Sequence, residues 1–141
     1  MNRGVNPELG LALLRVALGV IFATHGAAKL FGGIEGTVGF FGSIGIPLPV
    51  IAAWAVALLE FVGGIFLVFG LLVTPISLLL TLHMFAGIVL VHAPNGWWVI
   101  GPDANGGVEF NVALIAGLLM LVFGGPGLAS IDGRGGPPGS A

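Results

Sequence analysis

The sequence contains no cysteine and very few charged residues. Without cysteine, the chain itself can carry out no disulfide exchange or thiolate catalysis, and it can hold no cysteine-ligated zinc, iron–sulfur cluster or c-type haem. Charged residues make up 7% of the 141 residues, whereas a soluble domain carries charge on roughly a quarter. The net charge of −2 gives no indication of nucleic acid or another strongly charged partner. This composition cannot provide the surface of a soluble protein.

Apolar residues dominate instead, at 57% of the chain and a mean hydropathy of +1.13. Four apolar runs are long enough to predict membrane spans, and they lie at about residues 7–28, 49–70, 75–92 and 107–124. The N-terminus lacks the basic region and cleavage site of a signal peptide, so we expect the first run to be retained. The sequence therefore predicts an all-α membrane protein, a four-transmembrane-helix bundle that forms one domain over residues 1–128.

The first and third spans carry signals for their starts. Asn6 can cap the first helix, and Pro7 suits its first position. Thr74 is the predicted cap of the third. Between the first two spans, residues Leu30–Pro47 are too short and too rich in glycine to cross the membrane. We expect an interfacial segment there, with a short helix at about Thr37–Phe41.

The remaining connections are predicted to lie at or outside the membrane surface. Trp97 and Trp98, in the loop before the fourth span, are the residue type expected at headgroup level. Residues 129–141 are rich in glycine and proline and are predicted to be a disordered tail. Four spans place both termini on one side, here called side A, with Arg3 and Arg134. The positive-inside rule predicts that side A is cytoplasmic and that the opposite side, side B, faces outward.

Several ionisable residues fall inside the predicted spans, where each is costly unless it faces the bundle interior and pairs. Counted at about 1.5 Å per residue, Arg15, Glu60 and His83 lie at one depth, roughly 12 to 15 Å from side A. His25, Lys29 and Glu109 form a second polar layer towards side B, and His92 lies near it. The prediction is that the first layer holds the bundle together and that the second meets a ligand.

Small residues support an inward direction for Glu60. On its span, Ala53, Ala57 and Gly64 recur at helical spacing on the same face, and such residues let helices approach closely in lipid. The first span carries Arg15, Gly19, Phe22, Gly26 and Lys29 on one stripe. Glu60 is therefore expected to face another helix.

Structural explanations compete with the functional ones. An Arg15–Glu60 pair can fix helix register without any chemistry, and a proton or ligand role is equally open. Lys29 can extend to the headgroups, and His83 can be a core histidine. Glu109 is favoured at a helix start by the helix dipole alone. His25, His92 and Glu109 lack the local spacing of a metal site, so no metal is predicted.

Five segments in order give a more specific signal. They are LLRVALGVIFATHGAAKLFG (Leu13–Gly32), GIPLP, ALLEFVGGIFLVFGL (Ala57–Leu71), HAPNGWW and GGVEFNVAL. Together they resemble the DoxX family of small bacterial membrane proteins over nearly the whole chain. The resemblance implies a four-helix bundle in the bacterial cytoplasmic membrane. The family pattern falls on Arg15, His25, Lys29, Glu60, His92, Asn95, Gly96, Glu109 and Asn111.

The resemblance also implies a redox setting. Related DoxD-type proteins are associated with thiosulfate:quinone oxidoreductase, and some DoxX members are associated with membrane complexes of oxidative-stress enzymes. More distantly, the group resembles membrane domains of vitamin-K-using carboxylases. No covalent cofactor attachment comes with the family, and a catalytic partner subunit is expected to be a separate chain.

Three functions are open at this point. The leading hypothesis is a redox-system subunit that binds a quinone or similar lipophilic carrier near side B, with His25, Lys29 and Glu109 as proton or hydrogen-bond donors. The predicted apolar slot is formed by Phe31, Phe40, Phe41, Trp97 and Trp98. The second is a non-catalytic membrane anchor that recruits other enzymes. The third is a small-solute transporter, which would require a homo-oligomer because four short helices barely enclose a path.

Overall fold

The computed structural model describes residues 6–94 and 107–134, and in these ranges every regular element is helical. The elements are α1 (Pro7–Gly32), α2 (Ile34–Ser43), α3 (Pro49–Phe69), α4 (Val73–Gly87), a π-helical turn (Ile88–His92) that continues α4, α5 (Val108–Gly124) and a short 3₁₀ turn (Asp132–Arg134). This arrangement confirms the predicted all-α bundle with a short segment between its first two long helices.

Within the described residues, three helices are long and apolar enough to cross a membrane: α1, α3, and α4 together with its π-helical turn. The shorter apolar helix α5 has 17 residues and is about 26 Å long, close to the roughly 30 Å of a bilayer core. The ten residues of α2 include none that is buried. The predicted interfacial helix is therefore present and is longer than the Thr37–Phe41 turn expected from the sequence.

Helix α1 begins where its sequence predicts. The Asn6 side-chain oxygen accepts a hydrogen bond from the Leu9 backbone N–H at 3.3 Å, and Pro7 occupies the first helical position. The helix ends at Gly32, and the next residue, Gly33, has a φ of 120°, a conformation that residues with a Cβ atom rarely adopt. That glycine allows α2 to start immediately after α1.

Helices α1 and α3 cross at very short range because glycines on each helix lie against the backbone of the other helix. A Cβ atom at Gly19 would lie 2.8 Å from the Val68 nitrogen, and one at Gly26 would collide with the backbone of Phe61. Gly64 approaches the backbone of α1 equally closely. Residue numbers rise along α1 as they fall along α3, so the helices are antiparallel and these contacts fix their register.

The start of α4 differs from the prediction. The helix begins at Val73, after Leu72 in a left-handed conformation with φ of 50°, so Thr74 is not its cap. Asp132 provides the cap instead, because its two carboxylate oxygens accept hydrogen bonds from Leu72 N–H at 3.0 Å and Val73 N–H at 2.8 Å. Sequence position alone gave no sign of a cap from 60 residues away.

The predicted disordered tail from residue 129 is wrong for residues 129–134. Ile131 N–H donates to the Phe69 carbonyl at 3.3 Å, and Asp132 N–H donates to the Gly70 carbonyl at 2.9 Å. A little earlier, Leu128 N–H donates to the Glu8 carbonyl at 3.1 Å. Residues 125–134, here called the C-terminal strap, therefore lie across the side A ends of α1, α3 and α4. Residues 135–141 lie outside the described residues.

Candidate functional site

Three helices bring one cation, one carboxylate and one imidazole together. Lys29 Nζ on α1 donates to Glu60 Oε2 on α3, and His83 Nε2 on α4 lies 2.8 Å from Glu60 Oε1. The Glu60 side chain is 5% exposed, against 24% for Lys29 and 18% for His83. A buried carboxylate needs such partners, because its desolvation is otherwise uncompensated. We refer to Lys29, Glu60 and His83 as the Glu60 cluster.

The cluster corrects the predicted layers. The Glu60–His83 neighbourhood is confirmed, but Arg15 does not pair with Glu60, and Lys29 does. Gly19 lies opposite Val68, so Arg15, one turn earlier on α1, lies beyond the side A end of α3. Glu60 lies about 14 Å along α3 from that same end. α1 begins well outside the side A end of α3, so equal distances from the ends of the two helices do not correspond to equal depths.

Arg15 is buried and bonds to the C-terminal strap. Its guanidinium donates to the carbonyl oxygens of Pro126, Leu128 and Ala129, the last two at 3.3 Å. Asp132 is the acidic group that acts on it electrostatically. A guanidinium has donors in a planar fork, so one side chain can satisfy several carbonyls of an irregular segment. Arg15 therefore has a structural task at side A, which explains its burial without a ligand.

A cavity of about 190 Å³ lies beside the Glu60 cluster. Its polar lining comes from His25, Glu60 and Asn111, on α1, α3 and α5. Apolar side chains form the rest of its wall: Ile21, Phe22, Met84, Phe110 and Leu114. An apolar cavity with a few placed polar groups is the usual form of a small-molecule site. We call this space the polar cavity.

One contact between aromatic rings and one amide hydrogen bond shape the polar cavity. The His25 ring lies against Phe110, with ring centroids 6.4 Å apart and a tilt of 41°. The Asn111 Nδ2 group donates to the Met84 carbonyl at 3.3 Å, near the point where α4 changes to the π-helical turn. Such π-helical turns are frequent at functional sites. Asn111 thus links α5 to α4 and contributes to the cavity lining.

A second space of about 140 Å³ touches the cluster at His83. Apart from that imidazole, its lining is apolar and comes from α2 and the segment after it, α3, α4 and the π-helical turn. Glu60 lines the polar cavity and His83 lines this groove, so their hydrogen bond separates two chemically different spaces.

The other predicted site residues are not gathered at the Glu60 cluster. Glu109 Oε1 accepts a hydrogen bond from Gly107 N–H at 3.1 Å in the first turn of α5, where the helix dipole also favours a carboxylate. His92 is half-buried in the π-helical turn. Trp97 and Trp98 lie outside the described residues. Within residues 6–94 and 107–134, no three His, Asp or Glu side chains are grouped to hold a metal ion, so His25, His92 and Glu109 do not form such a triad.

Sequence reasoning gave Asn111 no role of its own and missed the partner of Lys29. The signal for that partner was present, because Lys29 shares a stripe with Gly19 and Gly26, and Glu60 shares one with Gly64. Matching the glycines of the two stripes would have set Lys29 beside Glu60. Nothing comparable marked the strap carbonyls that bind Arg15, since backbone atoms leave no trace in the sequence pattern.

Comparisons with known proteins agree with this architecture. The family model described as DoxX matches residues 10–93. "Putative oxidoreductase CatD" of Bacillus subtilis is 35% identical over 125 residues, covering 89% of this chain and 86% of that protein. "Inner membrane protein YphA" of Escherichia coli is 31% identical, with 88% and 89% covered, and "Inner membrane protein YqjF" is 30% identical, with 89% and 91% covered. No solved structure matches the chain.

Proposed function

The chain belongs to the DoxX family of membrane proteins, and from that membership we propose that it is the membrane subunit of a redox system and binds a quinone, or a similar lipophilic ring compound, within its bundle towards side B. The name of the Bacillus subtilis relative supports a redox role. The names of the two Escherichia coli relatives support an inner-membrane location. We extend this to the bacterial cytoplasmic membrane, with both termini cytoplasmic.

The observation that carries the proposal is the polar cavity bordered by Glu60. A quinone requires an apolar slot for its ring, groups that can hydrogen-bond to its two oxygens, and proton exchange when it is reduced. Phe22, Phe110 and Met84 supply the slot, and His25 and Asn111 are polar residues of its lining. Ionisable residues inside a membrane bundle commonly mark such ligand or proton sites.

The Glu60 cluster gives the polar cavity a connection for protons. Lys29 is the most exposed member and lies in the last turn of α1, towards side B. Glu60 borders the cavity and is hydrogen-bonded to Lys29. Protons released or taken up at the ring can therefore exchange with the outer side. The electrons come from a separate redox enzyme, since this cysteine-free chain offers no thiol or iron–sulfur centre.

Binding can be measured directly. The protein, purified from membranes, is extracted with organic solvent to detect co-purifying quinone, and short-tailed ubiquinone and menaquinone analogues are titrated into quinone-free nanodiscs. We expect binding, and we expect His25→Phe and Asn111→Leu each to weaken it by about tenfold, the effect of losing one hydrogen-bonding group. Glu35→Gln, which changes an exposed carboxylate on α2, should bind like the wild type. No binding at lipid-like concentrations contradicts the proposal.

A second candidate function is a non-catalytic anchor for other enzymes. The observation that favours it is that Lys29, Glu60 and His83 satisfy one another, and a purely structural cluster would do the same. Under this alternative, His25→Phe leaves the recovery of partner enzymes and the redox activity of native membranes intact. Under the quinone proposal, the same variant keeps the fold and the partners but has lower redox activity.

A further inference from the structure

The buried carboxylate at the polar cavity can accept hydrogen bonds but cannot donate them. Glu60 is held as a carboxylate by its ion pair with Lys29, and an ionised carboxylate accepts hydrogen bonds at about four positions and donates none. Lys29 and His83 use two of these positions. Because Glu60 is 3% exposed and lines the cavity, a bound ligand is the natural source of further donors.

Asn111 also offers an acceptor at the cavity that it lines. One Nδ2–H of Asn111 donates to the Met84 carbonyl, so the amide keeps its carbonyl oxygen, an acceptor, and one further N–H donor. His25, the third polar group, can act in either direction, because a neutral imidazole has one donor and one acceptor nitrogen. All three polar groups can therefore accept a hydrogen bond from a ligand, and Glu60 can only accept.

The size of the polar cavity limits the ligand further. A cavity of about 150 Å³ accepts a benzene ring in another protein. The volume here is about 190 Å³, with aromatic walls from Phe22 and Phe110. One six-membered ring with its oxygen substituents matches that space.

We propose that the polar cavity is a site for the hydroxyl-bearing, reduced form of the ring compound, a single-ring hydroquinone or related phenol, whose O–H groups donate hydrogen bonds to Glu60 and to the Asn111 amide oxygen. The inference rests on the proposed function and adds which redox form is bound. A quinone presents only carbonyl oxygens, which accept hydrogen bonds. Beside the Glu60 carboxylate, a quinone oxygen would therefore face another acceptor and form no hydrogen bond with it. A site that hydrogen-bonds a hydroxyl discriminates strongly against analogues that lack it.

Three ligands with the same ring test this inference. A short-tailed ubiquinol, kept reduced without oxygen, its ubiquinone and the dimethyl ether of the quinol are titrated by calorimetry into the full chain in quinone-free nanodiscs. We expect the quinol to bind at least about tenfold more tightly than the quinone, and the dimethyl ether to bind no better than the quinone. Glu60→Gln, which replaces one acceptor oxygen with a donor, should reduce that preference, and Glu35→Gln should retain it.

The wild-type measurements decide the question even if Glu60→Gln does not fold. Equal or tighter binding of the quinone, or of the dimethyl ether, overturns the preference for the reduced form while leaving the proposed function in place. Absence of binding by all three ligands overturns the proposed function and this inference together.

Discussion

The Glu60 carboxylate on α3 lies 2.8 Å from the His83 imidazole nitrogen on α4. The same carboxylate receives Lys29 from α1, so one buried anion joins three helices. Any shift of α1 along α3 would leave Glu60 without its cation in a low-dielectric environment, where unpaired charges are most costly. The cluster therefore fixes helix register and at the same time places a charged group at the wall of the polar cavity.

The pairing of Lys29 with Glu60 predicts strong coupling between their substitutions. Lys29→Met leaves the buried carboxylate without its cation and should lower the free energy of unfolding by about 3 kcal/mol. The double variant Lys29→Met/Glu60→Gln removes both charges, so its cost should be smaller than the sum of the single costs by about 1–3 kcal/mol. Unfolding in mixed micelles of dodecyl sulfate and a mild detergent measures both quantities.

The matched control for this cycle is Glu35→Gln, which removes an exposed carboxylate of α2. It should change the free energy of unfolding by less than about 0.5 kcal/mol. Additive costs for the Lys29 and Glu60 substitutions would show that the two side chains do not interact in the folded protein.

The close approach of α1 and α3 predicts that position, and not residue type, decides the effect of a glycine substitution. Gly26→Ala places a methyl group against the Phe61 backbone and should destabilise the bundle by more than about 1 kcal/mol. On the same helix, a Cβ atom at Gly10 meets nothing within 4 Å. Gly10→Ala should therefore be neutral or slightly stabilising, since alanine favours helix. Similar losses of unfolding free energy for the two variants would contradict the crossing.

Much of the bundle is readable from the sequence because it depends on local signals. The lengths of the apolar runs predicted the long helices, and Asn6 and Pro7 predicted the start of α1. The stripe of Ala53, Ala57 and Gly64 predicted that Glu60 faces another helix. These features depend on residues within one helix. The partner of Glu60 depends on the offset between two helices, and that offset is set by where their glycines meet.

The C-terminal strap shows a second limit of sequence reasoning. Its glycine and proline content is typical of disorder, yet Arg15 binds its carbonyl groups and Asp132 caps α4. The composition of a segment indicates whether it can form a hydrophobic core of its own. The strap is ordered in another way, by hydrogen bonds to polar groups at the ends of helices. Contacts between residues more than 50 positions apart leave no local pattern.

The cap from Asp132 predicts where the strap stabilises α4. Asp132→Ala should lower the free energy of unfolding by about 1 kcal/mol, because Leu72 and Val73 N–H groups lose their acceptors. Amide hydrogen exchange at these two residues should become faster. Thr74→Ala is the control, since Thr74 does not occupy the cap position, and its exchange should match the wild type. Unchanged exchange in Asp132→Ala would contradict the contact.

The absence of cysteine makes the proposed orientation directly testable. Single cysteines introduced at Gly36, in α2 on side B, and at Arg134, on side A, can be treated in intact cells with a membrane-impermeant maleimide. We expect Gly36→Cys to react in intact cells and Arg134→Cys to react only after the membrane is made permeable. The reverse pattern would place the termini outside and contradict the proposed orientation.

The central claim, that the polar cavity beside Glu60 holds a lipophilic ring compound, is tested most directly by photo-cross-linking. An azido-ubiquinone is photolysed with the protein in nanodiscs, with and without excess unlabelled ubiquinone, and the attached residues are mapped by mass spectrometry. The account predicts labelling near His25, Met84 and Phe110 that excess ubiquinone prevents. Labelling spread over lipid-facing residues such as Phe123, unaffected by excess ubiquinone, would contradict it.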